Sequence, residues 1–394
     1  MIIHRVKRGE DLYAIAKKYS QNVAKIWSDN DLFGDRLAVG EELLVLMPTR
    51  CETVRAKDTL ESIGKRFGVR REALLMANPG LMGHDRLRPG QLLTIKHDTS
   101  RLGIASSLAF VKRGCNRDKL RRAIAYATYI SVNSMRIEEG KLVRDFDARW
   151  AEEMCSSENK IYLLGVSDNT LGAFLGDKER RDSVIDSLIN AASKGGYHGV
   201  LLEARFASKN SGDAFCEFIL EARKRFIGCD LLFFTEIFEG TPKDASELSD
   251  GAILHIEGTG IDETRDAMRS FASSAESSKV FINLSSELPL LRGSISIREA
   301  KELCYRSGLE LETDEKTLLS SFNYTRYKVG EPMHQEIKFP SLRYTKAQLE
   351  ELCELGFIGI SFNADTESAS TLAMFASLFA RADYSMPDRR SGRI

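Results

Sequence analysis

The chain has almost no net charge: 56 Lys and Arg stand against 57 Asp and Glu over 394 residues. A balanced surface gives no continuous basic field, which argues against nucleic acid or an anionic membrane as the main partner. No apolar run approaches the roughly 18 residues of a membrane span. The start, Met1-Ile-Ile-His-Arg-Val-Lys-Arg-Gly9, holds neither an apolar stretch nor a small-residue cleavage site, so no secretory signal peptide is expected. The cysteines (Cys51, Cys115, Cys155, Cys216, Cys229, Cys304 and Cys353) are odd in number and scattered, and no Cys-x-x-Cys pair occurs. Neither a zinc site nor a disulfide framework is indicated, and free thiols in a reducing compartment are expected. His198, His255 and His334 do not share a metal-ligand spacing, and no Gly-rich phosphate loop is found. No metal and no cofactor are expected.

What is present is an internal repeat followed by a long alternating segment. The length predicts two or three folding units, and 43% hydrophobic residues suffice for real cores. Residues 3–47 and 51–97 match each other: Val6 with Val54, Ile15 with Ile63, Tyr19 with Phe67, Ile26 with Leu74 and Asn30 with Asn78. After a small shift, Asp35-Arg36-Leu37 matches Asp85-Arg86-Leu87 and Gly40 matches Gly90. Each copy reads strand, helix, helix, strand. Leu12, Ile15, Ala16 and Tyr19 follow the helical period in the first, and Leu60, Ile63, Gly64 and Phe67 in the second. A polar residue caps the first helix, and Asn30 or Asn78 ends the second as a residue tolerant of left-handed backbone.

The motifs Gly9-Glu-Asp-Leu12, Asn78-Pro-Gly80 and Leu87-Arg-Pro-Gly-Gln91 resemble LysM, a small module that binds N-acetylglucosamine polymers. The Gly usually found before Asp-Thr-Leu is replaced in Ala56-Lys57-Asp58-Thr59. The resemblance places the sugar between two loops of each module. It implies contacts from Gly9, Glu10, Asp11, Leu12, Asn30, Asp31 and Leu32 in the first module, and from Asp58, Thr59, Leu60, Asn78, Pro79, Gly80 and Leu81 in the second. Some of these side chains are expected only to hold the loops. Two sites on one chain raise affinity for a polymer through effective concentration.

Beyond a polar connector near His97–Ser100, apolar strands alternate with amphipathic helices, which predicts an α/β domain, a (β/α)8 barrel. Strands are expected at Leu102–Val111, Ala125–Ile130, Ile161–Val166, Gly199–Phe206, Asp230–Ile237, Gly251–Glu257, Val280–Leu284 and Ile358–Phe362. Helices are expected over Asp182–Ser193, Asp213–Phe226 and Ile261–Ser273. The domains read as 1–48, 49–98 and 99–394, with an α+β insertion at about 290–345 before the last strand.

The fourth strand, Gly196-Tyr-His-Gly-Val-Leu-Leu-Glu-Ala-Arg205, resembles that of family 18 glycoside hydrolases, written Gly-Phe-Asp-Gly-Val-Asp-Ile-Asp-Trp-Glu. The insertion, through Ser296-Ile-Arg-Glu-Ala300 and Met333-His-Gln-Glu-Ile-Lys-Phe339, is similar to that of the family's spore cortex-lytic branch, which also carries two LysM modules before its barrel. In that family a Glu ending the fourth strand protonates the glycosidic oxygen. The substrate's own N-acetyl oxygen attacks the anomeric carbon, and a neighbouring Asp orients that group and stabilises the resulting oxazolinium. Here the acidic positions fall on His198, Leu201, Glu203 and Arg205, the sixth-strand Tyr on Glu257 and the eighth-strand Trp on Asn363. Arg stays protonated at neutral pH and cannot donate the proton. Strand alternation turns 201, 203 and 205 to one side, so Arg205 is expected in a charge network with Glu203, Glu236 or Glu257. Further carboxyls near strand ends are Asp168, Glu287 and Asp365.

These readings predict a protein that binds peptidoglycan or another N-acetylglucosamine polymer and carries an inactive glycosidase-like barrel. The alternative is an active peptidoglycan N-acetylglucosaminidase with a rebuilt acid site. A third reading has Arg205 hold a carboxylate or phosphate of another ligand. The resemblance implies a spore setting, with synthesis in the cytoplasm, deposition on the forespore at the cortex or coat, and coat proteins as further partners.

Overall fold

The computed structural model describes residues 1–382 apart from 33–36, 79–80, 82–85, 98–100, 157–159, 169–171, 204–211, 239, 257–259, 285–286, 290–293 and 329–330. The chain forms two compact units. One comprises residues 1–103, 286–349 and 366–379; the other comprises 104–285, 350–365 and the remainder.

The first unit opens with the two βααβ modules. In the first, Ile2–Arg5 pairs antiparallel with Glu42–Val45, in register from Ile2 opposite Val45 to Arg5 opposite Glu42. Helices Leu12–Lys18 and Val23–Asp29 lie between them in sequence. Asp11 caps the first by accepting from the Ala14 amide at 2.6 Å, relieving one of the unpaired N–H groups that every helix start presents. In the second module the strands are Pro48–Thr53 and Leu92–His97, and the helices Leu60–Phe67 and Arg71–Ala77. Thr59 and Ser62 form a reciprocal capping box there. The repeat positions are the two cores: Val6, Ile15, Ile26 and Leu43 in one, Val54, Ile63, Leu74 and Leu93 in the other.

The insertion belongs to this unit as well. Helix Ile297–Arg306, capped by Ser296 with Glu299, packs on an antiparallel sheet of Glu312–Thr313, Leu319–Lys328 and Glu331–Pro340. Its core includes a residue of the first module: Ala38 packs with Ile297, Cys304, Leu311 and Phe339. The Leu311 amide donates to the Val39 carbonyl at 2.8 Å. Gly40 has φ of +86°, and a Cβ there would collide with the Leu311 carbonyl. Glu42, buried, accepts from Arg343 Nε at 2.6 Å and from the Arg343 amide at 3.1 Å. The first module is thus built into the insertion by shared core and buried charge.

The second unit is a closed barrel of eight parallel strands: β1 (Gly103–Val111), β2 (Tyr129–Glu138), β3 (Ile161–Asp168), β4 (Gly199–Glu203), β5 (Leu232–Ile237), β6 (Gly251–Leu254), β7 (Val280–Asn283) and β8 (Gly359–Asn363). Each pairs with the next, and β8 pairs with β1 to close the ring. Alternate residues fill the interior: Leu108, Phe110, Tyr129, Leu163, Leu201, Phe234, Ile253 and Phe281 form one buried cluster. One expected strand was misplaced. Residues from Ala125 were expected in β2, but Arg117–Tyr126 is a helix and the strand starts at Tyr129. Asn116 caps that helix through the Asp118 and Lys119 amides, and Leu120, Ala123 and Ile124 bury its apolar stripe. The run across Ala125–Ile130 therefore joined two elements at their apolar ends. The helices expected in between are present, at Lys178–Lys194, Gly212–Gly228 and Ile261–Ala272.

Candidate functional site

The module loops are held mainly by the residues that the sequence marked as contacts. Glu10 accepts from the Lys7 amide at 2.8 Å and bonds His4 Nε2 at 2.9 Å, which closes the first turn and draws its carboxyl below the usual range. Gly9 takes φ of +82° in the same turn. In the second module Asp58 does the equivalent work, accepting from the Arg55 amide at 2.9 Å and pairing with Arg66; the first of these contributes most to its lowered pKa. Thr59 is a helix cap. Leu12, Leu32, Leu60 and Leu81 are core residues, all under 5% exposed.

Asn30 and Asn78 have a structural task that the sequence did not disclose. Asn30 is buried, and its Nδ2 donates to the carbonyls of Ile26 (2.8 Å) and Leu44 (2.9 Å), while its Oδ1 accepts from the Leu44 amide at 2.7 Å. Asn78 does the same with Leu74, the Thr94 carbonyl and the Thr94 amide, each at 2.8 Å. Neither is left-handed, with φ of −116° and −135°; that conformation falls on Asp31 at φ of +51°. A two-stranded sheet leaves groups of its outer strand without ladder partners, and these amides serve them. Asp31 Oδ2 accepts from the Ala369 amide at 2.7 Å, which ties the loop after the second helix of the first module to the start of helix Ala369–Leu378 in the same unit. Pro79 and Gly80 lie outside the described residues.

In the barrel, the positions matched to the family motif separate along β4. His198 precedes the strand, and its Nδ1 accepts from the Tyr162 amide at 3.1 Å. Five residues of strand rise place it about 16 Å from Glu203, at the end away from the mouth. Leu201 is fully buried among the interior aromatics, a position worth roughly 2 kcal/mol of transfer free energy that a carboxylate would forfeit. Glu203 ends β4 on the same inner face, half-buried. Leu202 pairs with Thr235, so the following residues, Glu203 and Glu236, lie side by side at the ends of β4 and β5. Arg205 and Glu257 lie outside the described residues, and the network expected around Arg205 lies there with them.

The mouth carries one pair that residue spacing did not reveal. Glu236, 2% exposed, bonds His255 Nε2 at 2.6 Å, and the His255 ring stacks on Phe238 at 4.1 Å. His255 follows β6, whose Leu254 pairs with Ile237, so register alone brings the two strand ends together. Asn363 ends β8 on the inner face; two residues before it Ser361 donates to Asn283 Oδ1 of β7 at 3.1 Å. The mouth is therefore a polar layer above an aromatic core. Asp168 is buried at the end of β3, and Asp365 lies just past β8. His334 bonds Thr325 Oγ1 at 3.0 Å in the insertion sheet. Among the described residues no group of three or more His, Cys, Asp or Glu is arranged to hold a metal ion, and no helix is long and apolar enough to cross a membrane.

The LysM domain matches residues 4–45 and 53–96. Over 237 residues the chain is 27% identical to YdhD of Bacillus subtilis (strain 168), whose name is putative sporulation-specific glycosylase, covering 57% of this chain and 55% of that protein, so the chain spans about half the length of this relative. In structure it is similar to the spore cortex-lytic enzyme SleL of Bacillus megaterium QM B1551, with a TM-score of 0.74 and 19% identity over 97% of this chain and 99% of the other. A chitinase from Chromobacterium violaceum ATCC 12472 shares the barrel, with a TM-score of 0.62 and 16% identity over 69% of this chain and 98% of its own. The chain thus carries two LysM domains followed by a chitinase-like (β/α)8 barrel with an antiparallel insertion, an arrangement it shares in fold with SleL.

Proposed function

We propose that the chain binds peptidoglycan, or another N-acetylglucosamine polymer, through its paired LysM modules, and that its barrel does not hydrolyse glycan by the family 18 route. The observation that carries the first part is the duplicated module, matched twice and folded twice on the same pattern of caps, turns and Asn-to-strand bonds. Two weak sites on one chain give avidity for a repeating polymer. The second part is supported by Leu201 in the apolar core and by Arg205 at the position of the acid. A permanent cation there opposes the positive charge that develops on the sugar ring. The names of YdhD and SleL support a spore setting, with the cortex or coat as the place of action.

One observation favours a second reading. Glu203 and Glu236 stand side by side at the mouth, and Glu236 is joined to His255, so protonatable groups remain there. A single set of measurements separates the two. The whole protein is incubated with spore-cortex fragments and with chitopentaose; retention on the insoluble wall and the release of reducing ends are both followed. Retention that chitopentaose competes away, without new reducing ends, is the expected result. Turnover above that of an Arg205→Ala variant would establish a working hydrolase and overturn the second part. Failure of the wall to retain the protein would overturn the first.

A further inference from the structure

The insertion does more than brace the first module. A solvent-open cleft runs between the module's loop at Asp31 and Leu32 and the insertion helix Ile297–Arg306. Leu32, Ala38 and Ile297, all nearly buried, form its floor, and Tyr305, 38% exposed, stands at its edge as the main apolar surface. Its charged groups are largely paired with each other: Lys301 with Glu41 at 3.1 Å, and Arg306 with Glu302. A cleft of this kind suits a neutral ligand with one apolar face and a rim of hydroxyl and amide groups, and suits a polyanion or polycation poorly. The insertion also reaches the module's other loop, where Arg8 pairs with Glu310. Both sugar-side loops of the first module thus adjoin the same inserted segment.

The wall is preorganised. Ala38 lies in the insertion's own core, the Leu311 amide is bonded to Val39, and Arg343 joins Glu42 to Glu315. Helix and loop therefore hold one spacing without ligand, so binding costs little ordering entropy. The inserted segment is joined to the first module through Ala38 in its core and through ion pairs from Lys301 to Glu41 and from Arg343 to Glu42.

We propose that helix Ile297–Arg306 completes the glycan site of the first LysM module. A further N-acetylglucosamine unit of the strand that the module's loops grip lies along the rim of this shallow cleft, with Tyr305 as an aromatic platform for a sugar face. The proposal rests on the LysM reading above and adds to it a longer, one-sided site in the first module only.

Hydrogen exchange on the whole protein, titrated with chitopentaose and read by peptide, tests it. Slowed exchange is expected in residues 27–32 and also in 297–306, while peptides over 57–60 and 74–78 report the second module. In Tyr305→Ala the concentration that half-protects residues 27–32 should rise about tenfold, the effect of removing one aromatic contact. The second module's midpoint should stay in place. Tyr305→Phe keeps the ring and should remain within about twofold of wild type, and unchanged exchange in the ligand-free variants checks that both are folded. Protection of 27–32 without 297–306, or a wild-type midpoint in Tyr305→Ala, overturns the proposal while leaving the LysM reading standing. No protection in either module overturns both.

Discussion

Asn30→Ala gives a direct check on the claim that this residue holds the module together rather than touching sugar. The substitution removes three hydrogen bonds and leaves the amide and carbonyl of Leu44, a fully buried residue, without partners on that side. Leaving a buried backbone group unsatisfied costs about 1–3 kcal/mol. Two such groups at about 1.5 kcal/mol each give a loss of about 3 kcal/mol for the first module. That corresponds to roughly a hundredfold rise in the population of the opened module. The Leu44 amide reports this opening, because its bond to Asn30 Oδ1 is what protects it. Its hydrogen exchange should accelerate about a hundredfold, together with other core amides of the module, while module 2 amides keep their wild-type rates. Asn78→Ala should act likewise on Thr94, but by about 2 kcal/mol, since Asn78 is only half-buried and water can replace part of its bonding. The reasoning is refuted if Leu44 exchange rises less than threefold in Asn30→Ala while glycan affinity falls tenfold or more. That result would make Asn30 a ligand contact, as its place in the motif first suggested.

Three further outcomes are expected. Gly40→Ala should destabilise the first unit by more than about 2 kcal/mol in urea, because a Cβ there strikes the Leu311 carbonyl, whereas Gly9→Ala, at a similar positive φ but in open space, should cost only about 1 kcal/mol; equal midpoints for the two would contradict the docking of module on insertion. His97 bonds the Leu46 carbonyl at 3.1 Å, and burial, with a smaller contribution from the Lys25 charge, lowers its pKa from 6.5 to about 4. A depressed histidine stabilises the fold above its unfolded pKa and loses that contribution as pH falls from about 6.5 through 4, a change of up to about 3 kcal/mol; a His97→Phe variant with the same urea-midpoint profile between pH 7 and 4 would rule this out. Removing His255 leaves the buried Glu236 carboxylate without its imidazole partner, so His255→Ala should lower barrel stability by about 2–4 kcal/mol, read from the thermal midpoint, and Glu236→Gln in the same background should restore part of it.

The repeat was legible because its apolar spacing is what the two small cores use: Ile15 and Ile63, Ile26 and Leu74, Leu43 and Leu93 occupy the same places. The barrel was legible for a similar reason, since parallel strands buried on both faces appear as short apolar runs between amphipathic helices. The Ala125–Ile130 strand was misplaced because a helix end and a strand start are both apolar and no turn residue marks their junction. The candidate sites were less legible. Asn30 and Asn78 stand in a recognisable motif, but a motif does not say whether an amide faces ligand or backbone. Glu236 and His255 are 19 residues apart, on neighbouring strands, and nothing in their spacing announces a bond.

The sequence by itself determined the local rules: where each helix is capped, which face of each strand is apolar, and that the module is duplicated. These depend on near neighbours in the chain, and propensity and periodicity report them. Tertiary structure alone decided that the first module shares a core with residues some 260 positions later, through Ala38 and Ile297, and that two carboxyl-bearing strand ends meet at the mouth with a histidine. Such contacts follow from register and closure of the barrel and from packing of the insertion, long-range conditions that no local window of residues contains.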